Sequence, residues 1–168
     1  MTYRYFAYGS SLSAGHFAEW AGEHGYAGRS LDDGEVSMLS DYELVLTVPS
    51  RYWGGGVGTL LPRRGGTVNG VLFSLADEDA DMIRHKEGVV TGLYREVTVE
   101  VEVGRSGVAT TMKLVRAHAF VAADDRTVDT PLPPSRRWLE HVLRGARAHG
   151  LPTTWLDVLS RKLQGAAM

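Results

Sequence analysis

Glu87 is the residue whose surroundings in the sequence best suit it to move a proton. It follows Ile83-Arg84-His85-Lys86 and precedes Gly88-Val89. The stretch Asp77 to Lys86 is acidic in its first turn and basic in its last, the charge order a helix dipole favours, and Gly88 then ends it. A carboxylate just past the negative end of a helix is disfavoured, so its pKa rises. A pocket wall adds desolvation in the same direction. A base tuned that way suits proton shuttling near neutral pH. A second stretch, Tyr5-Phe6-Ala7-Tyr8-Gly9-Ser10-Ser11-Leu12, delivers a strand into a glycine-hinged turn with two hydroxyls. Successive backbone N–H groups in such a turn can form an anion-binding nest. Each stretch also has an ordinary structural reading. Glu87 can be a solvated carboxylate beside a capping glycine, and the serine turn can be a plain strand-to-helix turn. Taken singly, the residues leave both readings open.

Other polar groupings carry less. His16, Glu19 and Glu23 share a helix face, but their spacing spans two turns and lacks the closer pairs zinc prefers. Arg136, Arg137, Arg144 and Arg147 make a C-terminal helix basic. With acidic residues nearby and a net charge of −2, this reads as a solvated face rather than a nucleic-acid site.

The elements that must position these residues follow from periodicity and turn chemistry. Tyr3 to Tyr8 is aromatic and β-prone and breaks at Gly9, a strand followed by a loop. Ser13 to His24 carries Phe17 and Trp20 at helical spacing. Val36–Leu39 and Glu43–Val48 read as short strands around Asp41-Tyr42, and Ser50–Gly56 as a loop. Val57–Leu61 and Thr67–Phe73 read as two strands joined by a turn at Arg63–Gly66. From Leu93 the chain alternates: Leu93, Val97, Val99, Val101 and Val103 face one way, and Tyr94, Glu96, Thr98, Glu100 and Glu102 the other. Gly104–Gly107 turns this strand, and Ala109–Ala122 runs back beside it. Asp124–Pro134 is a loop. Ser135 caps a helix with apolar Trp138, Leu139, Val142, Leu143 and Ala146, stopping at Gly150 and Pro152. Thr153 or Thr154 caps a short last helix. No internal repeat or linker divides the chain, so a single domain over 1–168 is expected. Its class is α+β, with a mixed or antiparallel sheet able to close into a small barrel and helices flanking it.

Composition bounds the function. The 168 residues are 43% apolar, enough for a real core. The near-neutral balance supplies no global basic field for nucleic acid or an acidic membrane. The absence of cysteine excludes disulfides, cysteine nucleophiles and thiolate metal sites, and it fits a reducing compartment. No apolar run approaches the roughly 18 residues of a membrane span, and MTYRYFAYGSS lacks a signal-peptide layout. The expectation is a soluble, cytoplasmic protein.

Read together, the two chemical stretches resemble the γ-glutamylcyclotransferase family (AIG2-like fold). Tyr8-Gly9-Ser10-Ser11-Leu12 resembles its "YGSNL" signature, and Glu87-Gly88-Val89 followed by Tyr94 resembles its "EGV…Y" signature. Trp53-Gly54-Gly55-Gly56-Val57-Gly58-Thr59-Leu60 is similar to its glycine-rich start of a strand. Val68-Asn69-Gly70-Val71-Leu72-Phe73 is similar to the strand further on. Pro134-Ser135-Arg136-Arg137-Trp138, then Gly145-Ala146 and Gly150-Leu151-Pro152, is similar to its "PSxxY…GA…GLP" segment. The matches fall in the family's order over nearly the whole chain, and their conjunction is what makes them specific.

The resemblance implies a small β-barrel and an intramolecular aminolysis that releases 5-oxoproline and an amine from a γ-glutamyl amide. No metal or cofactor is implied, because the substrate carries its own nucleophile. Glu87 matches the catalytic glutamate, and Tyr8, Gly9, Ser10, Ser11 and Leu12 match the substrate loop. Tyr94 matches a pocket tyrosine. Two positions depart: Ser11 stands where the family has asparagine, and Trp138 where it has tyrosine. Indole offers one donor and no hydroxyl, so the leaving-group side differs; Trp138 also reads as plain helix packing. The implied partner is a small γ-glutamyl compound, with neither nucleic acid nor membrane, and family habit allows a homodimer. The amine released stays open. One option is general γ-glutamyl amino acid turnover. Another is deprotection of a γ-glutamylated secondary metabolite, as in aminoglycoside (antibiotic) biosynthesis. A third is a non-catalytic binding module on the same fold.

Overall fold

The computed structural model describes residues 1–104 and 112–166. Five strands close into a barrel in the order β1-β3-β2-β4-β5: β1 (Thr2–Ala7), β2 (Glu35–Ser50), β3 (Gly55–Ala76), β4 (Tyr94–Val103) and β5 (Lys113–Ala122). Neighbours are antiparallel except β1 and β5, which meet in parallel at Tyr5 and His118. Helices α1 (Ala14–Glu23), α2 (Ala80–Lys86), α3 (Arg136–Ala148) and α4 (Thr153–Ala166) flank the barrel, so the expected α+β barrel class holds. The expected turn after Gly104 and the start of the returning strand fall largely on 105–111, outside the described residues.

Two sequence expectations need correction. The pairs of short strands on either side of Asp41 and of Arg63–Gly66 are each one continuous strand. Between Ser40↔Thr67 and Tyr42↔Pro62, Asp41 alone faces Arg63, Arg64, Gly65 and Gly66. Asp41 (φ +65°) and Gly65 (φ +81°) both enter the left-handed region, and the Gly65 amide donates to Asp41 Oδ1 at 2.9 Å. The residues that read as a turn form a bulge, which bends a ladder without ending it. The last helix is also longer than expected, running to Ala166.

A second register shift lies between Val45↔Thr59 and Val48↔Val57, leaving Gly58 opposite Leu46 and Thr47. Gly58 lines the cavity described below. A Cβ there would stand 2.6 Å from both Trp138 and Leu44, so a larger residue would have to displace those side chains.

The core is one cluster. Phe6, Phe73, Phe120, Leu39, Val68 and Val101 from the strands are fully buried, as are Phe17, Leu139 and Leu159 from the helices. Each such side chain contributes about 1.5–3 kcal/mol relative to exposure. In α3 the residues expected to face inward (Trp138, Leu139, Val142, Leu143 and Ala146) are all buried, and the Ser135 side chain accepts the Trp138 amide as N-cap. Gly145 lies against the turn at Ser10–Leu12, where an added Cβ would come within 2.2 Å of the Leu12 carbonyl carbon. This contact seats α3 directly against the serine turn.

Among the described residues, no helix is long and apolar enough to cross a membrane.

Candidate active site

Helix α2 ends in a glycine cap. Gly88 sits at φ +69°, its amide donates to the His85 carbonyl at 3.1 Å, and the Val89 amide donates to the Arg84 carbonyl at 3.1 Å. This paired closure leaves Glu87 as the C-cap, the residue directly after the end of α2. The helix is tied to the barrel by Arg84, whose guanidinium forks onto Glu96 of β4, with Nη2 to Oε1 at 3.1 Å. The Tyr3 hydroxyl of β1 donates to the same carboxylate.

Glu87 therefore does not point to bulk solvent. Its Oε1 accepts a hydrogen bond from the Tyr5 hydroxyl at 2.6 Å, and it lines a cavity of about 290 Å³ at one end of the barrel. Burial pushes its carboxyl above the usual glutamate range, while the Lys86 charge and the Tyr5 hydrogen bond pull it part of the way back. Desolvation, which the sequence suggested beside the helix end, is the largest of these effects. Burial also lowers Lys86, and the Glu87 charge opposes that shift.

The serine turn forms another part of the wall. After β1, residues Ser10–Leu12 make one turn of 3-10 helix, closed by the Leu12 amide on the Gly9 carbonyl and the Ser13 amide on the Ser10 carbonyl, both at 3.1 Å. The amides of Gly9, Ser10 and Ser11 meet no backbone carbonyl among the described residues. Gly9, Ser10 and Ser11 all line the cavity.

Tyr8 and Tyr94 complete the inner wall. The Tyr8 hydroxyl donates to the Phe120 carbonyl at 2.6 Å and the Tyr94 hydroxyl to the Gly58 carbonyl at 2.7 Å. Burial raises both phenols above their ordinary pKa. They are thus neutral, oriented groups, and neither serves as a base near neutral pH.

Of the residues the sequence singled out, Glu87, Tyr8, Gly9, Ser10, Ser11, Tyr94 and Trp138 share this one cavity. Trp138 is both buried packing and cavity wall: its ring lies against Gly9 and Gly58. Leu12 is the exception. Its side chain is fully buried in the core, its amide is spent on Gly9, and its carbonyl meets His149 Nε2 at 3.1 Å. It supports the turn and does not line the cavity.

Sequence reading missed Tyr5, which holds Glu87. The signal available was the period-two pairing of Tyr3 with Tyr5 on one face of β1. It also missed the outer wall, where Trp20, His24, Tyr52, Trp53 and Lys86 meet from separate elements. His16, weighed as part of a metal face, is buried with its ring centroid 4.9 Å from those of Trp53 and His141. Burial first, then the nearby Lys86 charge, lower it to about 3, so it is neutral. Glu19 and Glu23 are exposed, and no group of metal-ligating side chains forms among the described residues.

A half-buried carboxyl with raised pKa, held by a tyrosine and sharing its cavity with a turn whose amides meet no backbone carbonyl among the described residues, is the layout of a proton-transfer site acting on an anionic or carbonyl-bearing small molecule. The AIG2-like family model matches residues 67–159, which include Glu87, Tyr94 and Trp138, and the chain belongs to the AIG2-like family. It is similar to the gamma-glutamylcyclotransferases of Bos taurus, 26% identical over 131 residues, and Homo sapiens, 26% identical over 129 residues. In both, the match covers 74% of this chain, and the chain spans 63% of the relative's length. Its fold is similar to a solved gamma-glutamyl cyclotransferase, with a TM-score of 0.71 at 24% identity over 95% of this chain and 87% of that one. It is also similar in fold to a yeast cyclotransferase described as specific to glutathione, with a TM-score of 0.68 at 12% identity over 99% of this chain and 98% of that one.

Proposed function

We propose that the protein is a γ-glutamylcyclotransferase that cyclises a γ-glutamyl amide to 5-oxoproline and frees the amine. The observation that carries this reading is that Glu87, held by Tyr5, lines one cavity together with the Gly9–Ser11 turn.

In this reading the Gly9–Ser11 amides hold the glutamyl carboxylate or the developing oxyanion. Holding a flexible chain so that its own α-nitrogen meets its γ-carbonyl supplies the entropic part of the rate. The α-amine arrives as ammonium and cannot attack. Glu87, as carboxylate, takes one proton. The free amine closes a five-membered ring on the γ-carbonyl carbon, and the scissile C–N bond breaks as Glu87 returns a proton to the departing nitrogen. The ring nitrogen sheds its second proton, and the released amine ends as ammonium. The raised pKa of Glu87 brings its two protonation states closer in energy near neutral pH, as a group that both takes and gives a proton requires. Tyr8 and Tyr94, anchored on carbonyls, shape the inner wall. The reaction calls on no cofactor, since the nucleophile belongs to the substrate.

The test is release of 5-oxoproline from a panel of γ-glutamyl compounds, with and without prolonged EDTA treatment. The expected result is product from at least one compound, unchanged by the chelator. A folded protein that binds γ-glutamyl compounds and releases no 5-oxoproline is a binding module, and the proposal fails. Loss of activity on chelation, restored by one metal, overturns the cofactor-free chemistry.

A further inference from the structure

The outer half of the cavity is built differently from the half around Glu87. It is walled by rings. Trp20 comes from α1, Tyr52 and Trp53 from the turn between β2 and β3, and His16 is neutral beside Trp53. Cations attend these rings. The Arg137 guanidinium lies 4.6 Å from the Trp53 ring centroid and 4.9 Å from that of Tyr52, and Lys86 Nζ is 5.9 Å from the Trp20 ring centroid. Lys86 itself lines the cavity, and Glu87 is the sole acidic residue among the lining residues described. Glu87 is engaged by Tyr5. A substrate group arriving at this end thus meets flat apolar surface and an ammonium, with no carboxylate other than Glu87 to receive a positive charge.

We infer that the amine half of the substrate is an apolar or aromatic amino acid, its carboxylate read by Lys86 and its side chain laid against Trp20 and Trp53. This rests on the cyclotransferase reading and narrows it. If the glutamyl half lies on the Gly9–Ser11 amides with its γ-carbonyl at Glu87, the leaving nitrogen continues outward past the end of α2, where Lys86 is the last helical residue and Glu87 its C-cap. An α-carboxylate two bonds beyond that nitrogen then falls to the ammonium beside Glu87. A polyamine leaving group, such as an aminocyclitol, would instead bring further ammonium groups against Lys86 and Arg137, an arrangement disfavoured by like-charge repulsion in a partly desolvated space.

The experiment compares three substrates that differ only in the amine: γ-glutamyl-phenylalanine, γ-glutamyl-phenethylamine, which keeps the ring and lacks the carboxylate, and γ-glutamyl-spermidine. Each is assayed for 5-oxoproline with wild type and Lys86→Met. Wild type should prefer the phenylalanine compound over the phenethylamide by about tenfold or more in kcat/KM, the value of one hydrogen bond to a charged group, and should use the spermidine compound least. Lys86→Met should remove the preference between the first two. Any effect of the lost charge on Glu87 is common to both substrates, so the ratio isolates the carboxylate. Equal wild-type rates, an unchanged ratio in the variant, or preference for the polyamine would overturn the inference while leaving the cyclotransferase reading standing. If Lys86→Met does not fold, the wild-type preferences decide alone. Product from none of the three, nor from γ-glutamyl-alanine or γ-glutamyl-glycine, would fail the cyclotransferase reading itself.

Discussion

Removing the hydroxyl that holds Glu87 isolates what that contact does. Tyr5→Phe keeps the ring, which packs near Phe73 and edge-on to Phe120, and deletes the donor 2.6 Å from Glu87 Oε1. That hydrogen bond favours the carboxylate and opposes the upward push of burial. A hydrogen bond to a charged group contributes about 1.5–3 kcal/mol, and a pKa unit is about 1.36 kcal/mol. The Glu87 pKa should therefore rise by about one to two units in the variant. In the proposed reaction kcat/KM requires the carboxylate, so the rate falls as pH drops through this pKa. The acid limb of the kcat/KM profile, followed by 5-oxoproline release, should move to higher pH by that amount. Tyr8→Phe is the control: its hydroxyl serves the Phe120 carbonyl, so the limb should keep its position whatever happens to the maximal rate. An acid limb that stays in place in Tyr5→Phe, or moves toward lower pH, would refute the assignment of that limb to Glu87.

Two further outcomes follow from the packing and the charge. Gly145→Ala sets a Cβ 2.2 Å from the Leu12 carbonyl carbon; it should lower stability by about 1–3 kcal/mol in denaturant titration and lower kcat/KM, because the displaced turn carries the Gly9–Ser11 amides. Glu87 binds its proton more tightly folded than unfolded, so it contributes stability at acid pH that is lost as pH rises from the ordinary glutamate range through its folded pKa. Glu87→Gln abolishes that dependence, so its Tm should gain on wild type as pH rises from about 4 toward 7; a constant difference would show that the folded pKa is not raised.

What the sequence disclosed follows physical lines. Local rules identified the caps at Ser135 and Gly88, which act within a turn of their own position. The inward face of α3 was equally legible, because five apolar residues at helical spacing have only one way to be buried. The β2–β3 pair was misread at Asp41 and Arg63–Gly66 because a bulge and a turn use the same residues; only the partner strand distinguishes them. The catalytic candidates were legible as motifs, and Leu12 was drawn in with them although its side chain belongs to the core. Tyr5 was not legible as a partner of Glu87. A tyrosine in a strand reads as packing, and its hydroxyl meets Glu87, 82 positions away in the sequence, only once the chain folds back. The ring-lined outer wall has no sequence signature, because Trp20, Trp53 and Lys86 reach it from three separate segments.

The account turns on Glu87 as the proton carrier. Glu87→Gln keeps the size of the side chain and an acceptor for the Tyr5 hydroxyl, and removes the titrating group. General acid–base groups typically supply about 10²–10⁴-fold. The direct measurement is kcat for 5-oxoproline release by Glu87→Gln, alongside binding of a γ-glutamyl ligand to the same preparation. The account predicts a kcat lowered at least about a hundredfold with binding retained. Near wild-type turnover by a folded Glu87→Gln would contradict it.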